Sequence, residues 1–346
     1  MALWTDVIDP ATLTGYARAS LADYEARKGT LAVFLPNRTI PDITARFVAG
    51  SNGLLDAAEF RSYDAETPIG AVPSGRRVSI ELPPLGMKVR VSEYEQLRAR
   101  GQATDENVAT SMERVTDRVV AAVADRMEVA RGAVINTGIA AINENGFVAN
   151  SDYGRSSSLN VTAATLWGTG GASPLTNLQT WRDVYVDENG DQPGALLMST
   201  KAFNALQAAT EFRALAATTA GTPAIVTRDY VQQVLSSFSL PPIVVFDRKV
   251  RVAGTVTRVT PDNKVFFLPA PVDANDAEGT DLGGTWWGQT LESSEANYAI
   301  DAADQPGVVA GAYKDDDPLG VWIKSAAIGL PVLANANLSL AATVLA

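Results

Sequence analysis

Neither cysteine nor histidine occurs among the 346 residues. Without cysteine there are no disulfides, thiolate metal sites or cysteine nucleophiles. Without histidine the commonest general base and the commonest metal ligand are gone. Ser-His-Asp hydrolases, HExxH proteases and Cys/His zinc sites are thereby excluded. Long apolar runs are also missing. No stretch approaches 18 consecutive apolar residues, and the N-terminus has no basic-then-apolar secretion pattern, so a soluble, cytosolic chain without a membrane span is expected. Basic residues are outnumbered, giving a formal net charge of −11. Most of the excess lies in residues 271–320, where eleven acidic side chains accompany the single Lys314. No basic stripe of the kind that tracks a phosphate backbone is present, which argues against specific nucleic-acid binding.

Hydrophobic residues make up 46% of the chain, ample for a substantial core. In residues 77–92, Val78, Ile80 and Leu82 alternate with Ser79 and Glu81, and Met87, Val89 and Val91 alternate with Lys88, Arg90 and Ser92. Period two predicts two strands, each with one apolar face. Pro83-Pro84-Leu85-Gly86 between them reads as the reversal of a β-hairpin. An isolated two-stranded hairpin is marginal in water, so this one must lie on its own domain or on another subunit. Val108, Met112, Val115, Val119, Val123 and Met127 then recur at spacings of three and four, predicting a helix over 104–131 with Thr104 as N-cap and Asp105 and Glu106 in its first turn.

Residues 1–30 read as a helical arm, followed by short extended pieces around Pro36 and Pro41. Residues 133–137 and 139–142 are open between strand and helix continuation, and Asn143-Glu144-Asn145-Gly146 marks a turn within a hairpin 139–153. A second domain is expected to start near residue 172. It holds helices from Pro174, from Thr200 as cap to about Ala216, and from Arg228 to Phe238. Strands are expected at 194–198, 241–247 and 264–269, and strand alternation over 251–259 is broken by a turn at Pro261-Asp262-Asn263. The closing pieces 321–324, 330–333, 338–340 and 344–345 read as separate strands that return to the first domain. Helices interleaved with β pieces argue for an α/β or α+β second domain.

Few residues offer chemistry. Asp315-Asp316-Asp317 lacks the spacing of a cation loop. Gly283 to Gly288 contains Trp286 and Trp287 and reads as a structural aromatic cluster; a sugar platform served by Asp281 or Glu292 requires a carboxylate separation that no spacing defines. Gly168-Thr169-Gly170-Gly171 is followed by no GKS/T and reads as an inter-domain hinge rather than a phosphate loop. Arg76, Arg77, Lys88 and Arg90 concentrate positive charge around the predicted hairpin, as gatekeepers of a half-exposed strand, as contacts to an acidic neighbour, or as contacts to nucleic acid. No cofactor or metal is expected.

The order of these features resembles the major capsid proteins of tailed bacteriophages, in the lambda-like branch. The resemblance rests on Phe34-Leu35-Pro36-Asn37-Arg38, on Tyr63 through Pro68-Ile69-Gly70, on 77–92, 104–131 and 133–138, on Pro242 to Phe246, on Thr260 to Asn263 with Lys264 to Pro269, and on Ile323 to Ala327, Pro331 to Leu333 and Asn337 to Leu340. It implies the α+β HK97-like capsid fold: an N-terminal arm at 1–55, an extended β-hairpin loop (E-loop) at 56–97, a long spine helix with the peripheral domain at 98–171, an axial domain at 172–310, and C-terminal strands at 311–346 that return to the peripheral and axial domains and make the peripheral domain discontinuous. The implied function is self-assembly, through pentamers and hexamers, into an icosahedral virion head. That head encloses double-stranded DNA without reading its sequence, and the subunit is made in the host bacterial cytoplasm with a scaffold, a portal and a decoration protein as partners. The acidic surface suits a wall that does not adhere to its contents. Arg76, Arg77, Ile80, Leu85, Met87, Lys88 and Arg90 are the expected intersubunit contacts. Some relatives cross-link neighbours through Lys–Asn bonds, but Lys88 does not match that chemistry by position. Rival readings are an encapsulin-like shell, another phage structural protein, and a carboxylate-dependent metalloenzyme or glycosidase.

Overall fold

The first helix begins where the sequence supplies a cap. Asp9 accepts the Thr12 amide at 3.3 Å, Pro10 stands at the first helical position, and helix α1 (Pro10–Lys28) ends at Gly29, whose φ is 74°. Arg27 and Lys28 in its last turn meet the negative end of the helix dipole. The computed structural model describes residues 8–49, 76–91, 94, 105–144, 146–219, 221–276, 279–316 and 319–346. The expected cap Thr104 and the stretch Tyr63 to Gly70 lie outside these.

Four short strands follow: β1 (Asn37–Thr39), β2 (Thr44–Ala49), β3 (Arg76–Glu81) and β4 (Pro84–Val91). Here the structure corrects the hairpin expectation. β3 does not fold back on β4; it pairs antiparallel with β2, from Thr44↔Glu81 to Ala49↔Arg76. β4 instead pairs with the late strand β15 (Leu319–Leu333), from Val321↔Val91 to Ile328↔Pro84. Pro83 and Pro84 hold the chain extended rather than reversing it, because each fixes φ and disfavours the helical region in its predecessor. Gly86 lets β4 close on its partner: a Cβ there would lie 2.6 Å from the Ser325 carbonyl oxygen.

Helix α2 (Asp105–Thr137) has 33 residues and, at roughly 1.5 Å per residue, is about 50 Å long. Of the predicted stripe, Met112, Val119, Val123 and Met127 are buried and Val115 is half-buried. The helix runs six residues past its expected end, straight through Gly132. β5 (Ile139–Glu144) and β6 (Phe147–Asp152) then form the anticipated hairpin around the 143–146 turn.

Two five-stranded sheets organise the rest. In the first, β1, β13 (Gly283–Gly288), β15 and β14 (Val309–Asp316) follow one another, with β4 also on β15. Pieces expected as separate strands at 321–324 and 330–333 are one strand of 15 residues. α1 and α2 pack on this sheet through Leu13, Ala17, Val119, Val120, Ala312 and Ile323. Thr14 Oγ1 donates to the Ala310 carbonyl at 3.1 Å and accepts its amide at 3.3 Å, so α1 covers the outer edge of β14.

The second sheet has the order β7 (Asn160–Thr162), β16 (Leu340–Thr343), β12 (Lys264–Leu268), β8 (Ala195–Met198), β9 (Ile243–Val245). Around it lie α3 (Pro174–Asn189), α4 (Thr200–Ala208), α5 (Thr210–Leu215) and α6 (Arg228–Ser237). Ser199, not Thr200, caps α4, accepting the Ala202 amide at 3.0 Å. Extended backbone at Ala209 splits the single helix expected here into α4 and α5. β10 (Lys249–Val252) and β11 (Thr255–Arg258) form a hairpin whose turn is Ala253-Gly254, both at positive φ, eight residues before the expected break at Pro261. The C-terminal segment thus supplies β15 to one sheet and β16 to the other.

Candidate intersubunit surfaces

The seven predicted contact residues fall on two separate elements. Arg76, Arg77 and Ile80 sit on the β2–β3 ribbon, and Leu85, Met87, Lys88 and Arg90 on β4 inside the first sheet. Arg77 is exposed, whereas Ile80 is 7% exposed and packs into its own subunit's core. Lys88 is exposed with its ammonium 4.9 Å from the centre of the Trp322 ring, and Arg90 lies half-buried against Gly320. Met87 is 43% exposed. With Leu85, Val123, Met127, Phe147 and Leu330 it lines an apolar groove of about 500 Å³ between β4, α2 and the β5–β6 hairpin. β4 thus alternates apolar Leu85 and Met87 with cationic Lys88 and Arg90, as period two requires.

A buried polar node, invisible to the sequence reading, fixes these surfaces relative to one another. Arg131 of α2 is fully buried and contacts Glu25 of α1 at 2.7 Å and Glu128 at 3.0 Å. It also donates to Thr285 of β13 at 2.8 Å and to Asn37 of β1 at 2.7 Å. Burial by itself lowers the guanidinium pKa; Glu25 and Glu128 more than offset this and leave it raised, so the charge is held. Glu128 in turn accepts the Leu31 amide at 2.6 Å. Arg248, between β9 and β10, reaches Asp125 of α2 at 2.9 Å and the Gly29 carbonyl at 2.7 Å. One cluster therefore joins the N-terminal helix, the long helix and both sheets. Its only sequence trace is the i,i+3 spacing of Glu128 and Arg131, ordinary for a solvated helix.

The far end of α2 is also met by cations. Arg155 donates to the Ile135 carbonyl at 2.8 Å and the Asn136 carbonyl at 2.6 Å, and Lys264 donates to Asn136 Oδ1 at 2.8 Å. Burial pushes the Arg155 pKa down to about 10, and burial followed by the charge of Arg155 lowers that of Lys264. These groups cap the negative end of the helix dipole.

Several residues considered for chemistry have structural partners. Glu292 is ion-paired with Lys324, and Asp315 accepts Trp322 Nε1 at 3.1 Å. Trp287 Nε1 donates to Asn37, and Trp287 is buried in β13. The glycine run 168–171 follows Trp167, which is stacked on Trp181 at 6.3 Å and hydrogen-bonded to Val344 at 2.7 Å, so it is a turn on a fixed core. Among the described residues no group of three or more acidic side chains is placed to hold a metal ion.

Two solved structures match this architecture over almost its full length. One is a phage-related protein from Bordetella bronchiseptica RB50, with 14% identity and a TM-score of 0.61, covering 99% of this chain and 98% of that one. The other is a putative capsid protein of a prophage of E. coli CFT073, also at 14% and 0.61, covering 96% and 98%. No curated protein matches the sequence. At such identity the likeness speaks for the fold alone, which is α+β and HK97-like. A model of the family described as phage major capsid protein E matches residues 23–344, and the chain belongs to that family. It is a major capsid protein of a phage head, a shell-forming structural protein of the virion.

Proposed function

We propose that this subunit assembles through pentamers and hexamers into an icosahedral head around double-stranded DNA, acting by assembly and not by catalysis. The family match across residues 23–344 is the observation that carries this reading. The β2–β3 ribbon, with the 50–75 segment that connects it, takes the place of the E-loop, and α2 is the spine. The first sheet with β5–β6 corresponds to the peripheral domain, and the second with α3–α6 to the axial domain. Arg76 and Arg77 on the ribbon and Leu85, Met87, Lys88 and Arg90 on β4 meet neighbouring subunits, while Ile80 serves its own core. Several shallow, mutually different surfaces suit a shell subunit better than one deep pocket. A scaffold, a portal and a decoration protein are the accompanying partners, and the subunit is made in the host cytoplasm.

Negative-stain electron microscopy of the protein, expressed alone and with the neighbouring phage genes, tests this. Closed shells of uniform diameter are expected; monomers or dimers under both conditions would overturn it. An encapsulin-type compartment also makes closed shells but encloses protein, so assaying the particles for nucleic acid separates the two.

A further inference from the structure

The β10–β11 hairpin carries a basic face that the subunit itself engages only at Arg258. Its register sets Lys249 opposite Arg258 and Arg251 opposite Val256, and alternation places these four side chains on one face. The other face is anchored: Val250 is buried and Val252 packs on the core. Lys249 and Arg251 are exposed with no ion-pair partner among the described residues, and Val256, opposite Arg251, is 59% exposed. Arg258 is held by Asp247 at 2.7 Å.

The complement lies in residues 290–305, a lobe closed at its neck by the Gln289↔Pro306 bridge and a Gln289–Gln305 side-chain bond. It contains Glu292, Glu295, Asp301 and Asp304 and neither lysine nor arginine. Among the described residues only Glu292 of these is ion-paired, with Lys324; Glu295 and Asp301 are exposed. Leu291 opens the short helix α7 (Leu291–Ser294) at 87% exposure, beside an apolar groove of about 460 Å³ that Leu85 and Met87 also line.

We propose that the basic face of β10–β11 docks on the 290–305 lobe of a second copy, with Lys249 and Arg251 toward Glu295 and Asp301 and Val256 beside Leu291. This rests on the shell-forming reading. The two patches differ, so the contact runs head to tail, and such contacts close into rings when the rotation per copy permits. Exposed charge pairs orient the encounter, while the apolar pair prolongs it. Enclosed DNA is the weaker occupant: two free cations are few for a phosphate backbone, and Val256 gains nothing from one. The β2–β3 ribbon is a weaker fit to the lobe, because exposed Asp42 and Glu81 dilute Arg46 and Arg77, and Arg46 already lies 3.7 Å from Asp42.

Because the chain has no cysteine, Val256→Cys and Leu291→Cys introduce its only thiols. Mild oxidation of shells carrying both is expected to give a ladder of covalent oligomers, about five-fold more than either single variant. Co-assembled single variants should stop at dimers. In parallel, Lys249→Glu with Arg251→Glu should lower the assembled fraction about ten-fold, and adding Glu295→Lys with Asp301→Lys should restore it to within about two-fold. Circular dichroism melts establish that each variant is folded. Wild-type shells with no ladder in the double-cysteine variant, or charge reversals that assemble normally, would overturn this contact and leave the shell reading standing. Intact shells that lose DNA on reversal of Lys249 and Arg251 would reassign the face to nucleic acid. Failure of the wild type to form any shell would bring down both readings.

Discussion

Arg131 shows how one side chain holds the subunit's parts in a single frame. Its guanidinium neutralises two carboxylates away from water, one of them 106 residues earlier in the chain. Removing the cation strands Glu25 and Glu128 as uncompensated buried charges, which typically costs about 3–5 kcal/mol. Arg131→Met should therefore lower stability by that order in a urea titration of the unassembled subunit. A loss under about 1 kcal/mol would mean that water reaches the node and the charges are not sealed. Little of this was legible beforehand. Arg131 and Glu128 stood on a recognised helix, but Glu25, Asn37 and Thr285 meet them only once tertiary structure has formed.

Period and punctuation resolve elements unevenly. The long helix was recoverable from the stripe Met112 to Met127, because packing on a sheet buries the face that the spacing exposes. Its end was misplaced for a packing reason. Gly132 continues the helix so that the segment around Val259 can cross it: a Cβ there would lie 2.1 Å from the Val259 carbonyl oxygen. In a free helix Gly→Ala gains about 1 kcal/mol. Here the obstacle is backbone, tied by the Val259 amide to the Arg248 carbonyl at 3.1 Å, so it has little room to yield. Gly132→Ala should destabilise by about 2 kcal/mol net, seen as a lower urea midpoint at unchanged slope. A raised midpoint would show that propensity outweighs the clash. The false hairpin at 77–92 has a different origin. Alternation identifies a strand and its faces but is silent about which strand it pairs with, and β3 and β4 found partners about 30 residues back and about 235 residues ahead.

At the scale of the molecule, the corrected pairing changes which piece of chain can be removed. Deleting 76–92 would take out β3 and β4 and strip β15 of a partner strand in the first sheet. Ala49 and Arg76 stand directly opposite in the ribbon, so a two-residue Asn-Gly turn can replace 50–75 without disturbing either strand. That variant is expected to stay soluble, to melt within a few degrees of the wild type, and to fail to form stable shells. Normal shells from it would remove the 50–75 segment from the list of intersubunit elements. Collinear order along the whole chain, more than any single motif, made the capsid architecture legible. The joining of 321–324 and 330–333 into one strand was not, since the small residues Ser325, Ala326, Ala327 and Gly329 interrupt the apolar pattern between them.

The Thr14–Ala310 hydrogen bonds acquire a further meaning in a protein whose purpose is to be crowded with its own kind. An uncovered outer strand invites the equivalent strand of another copy, and such stacking has no natural stopping point. By lying along β14 and occupying both polar groups of Ala310, α1 denies that template. The N-terminal helix thus protects the assembly from growing into a fibre, leaving closure of a finite container as the open route.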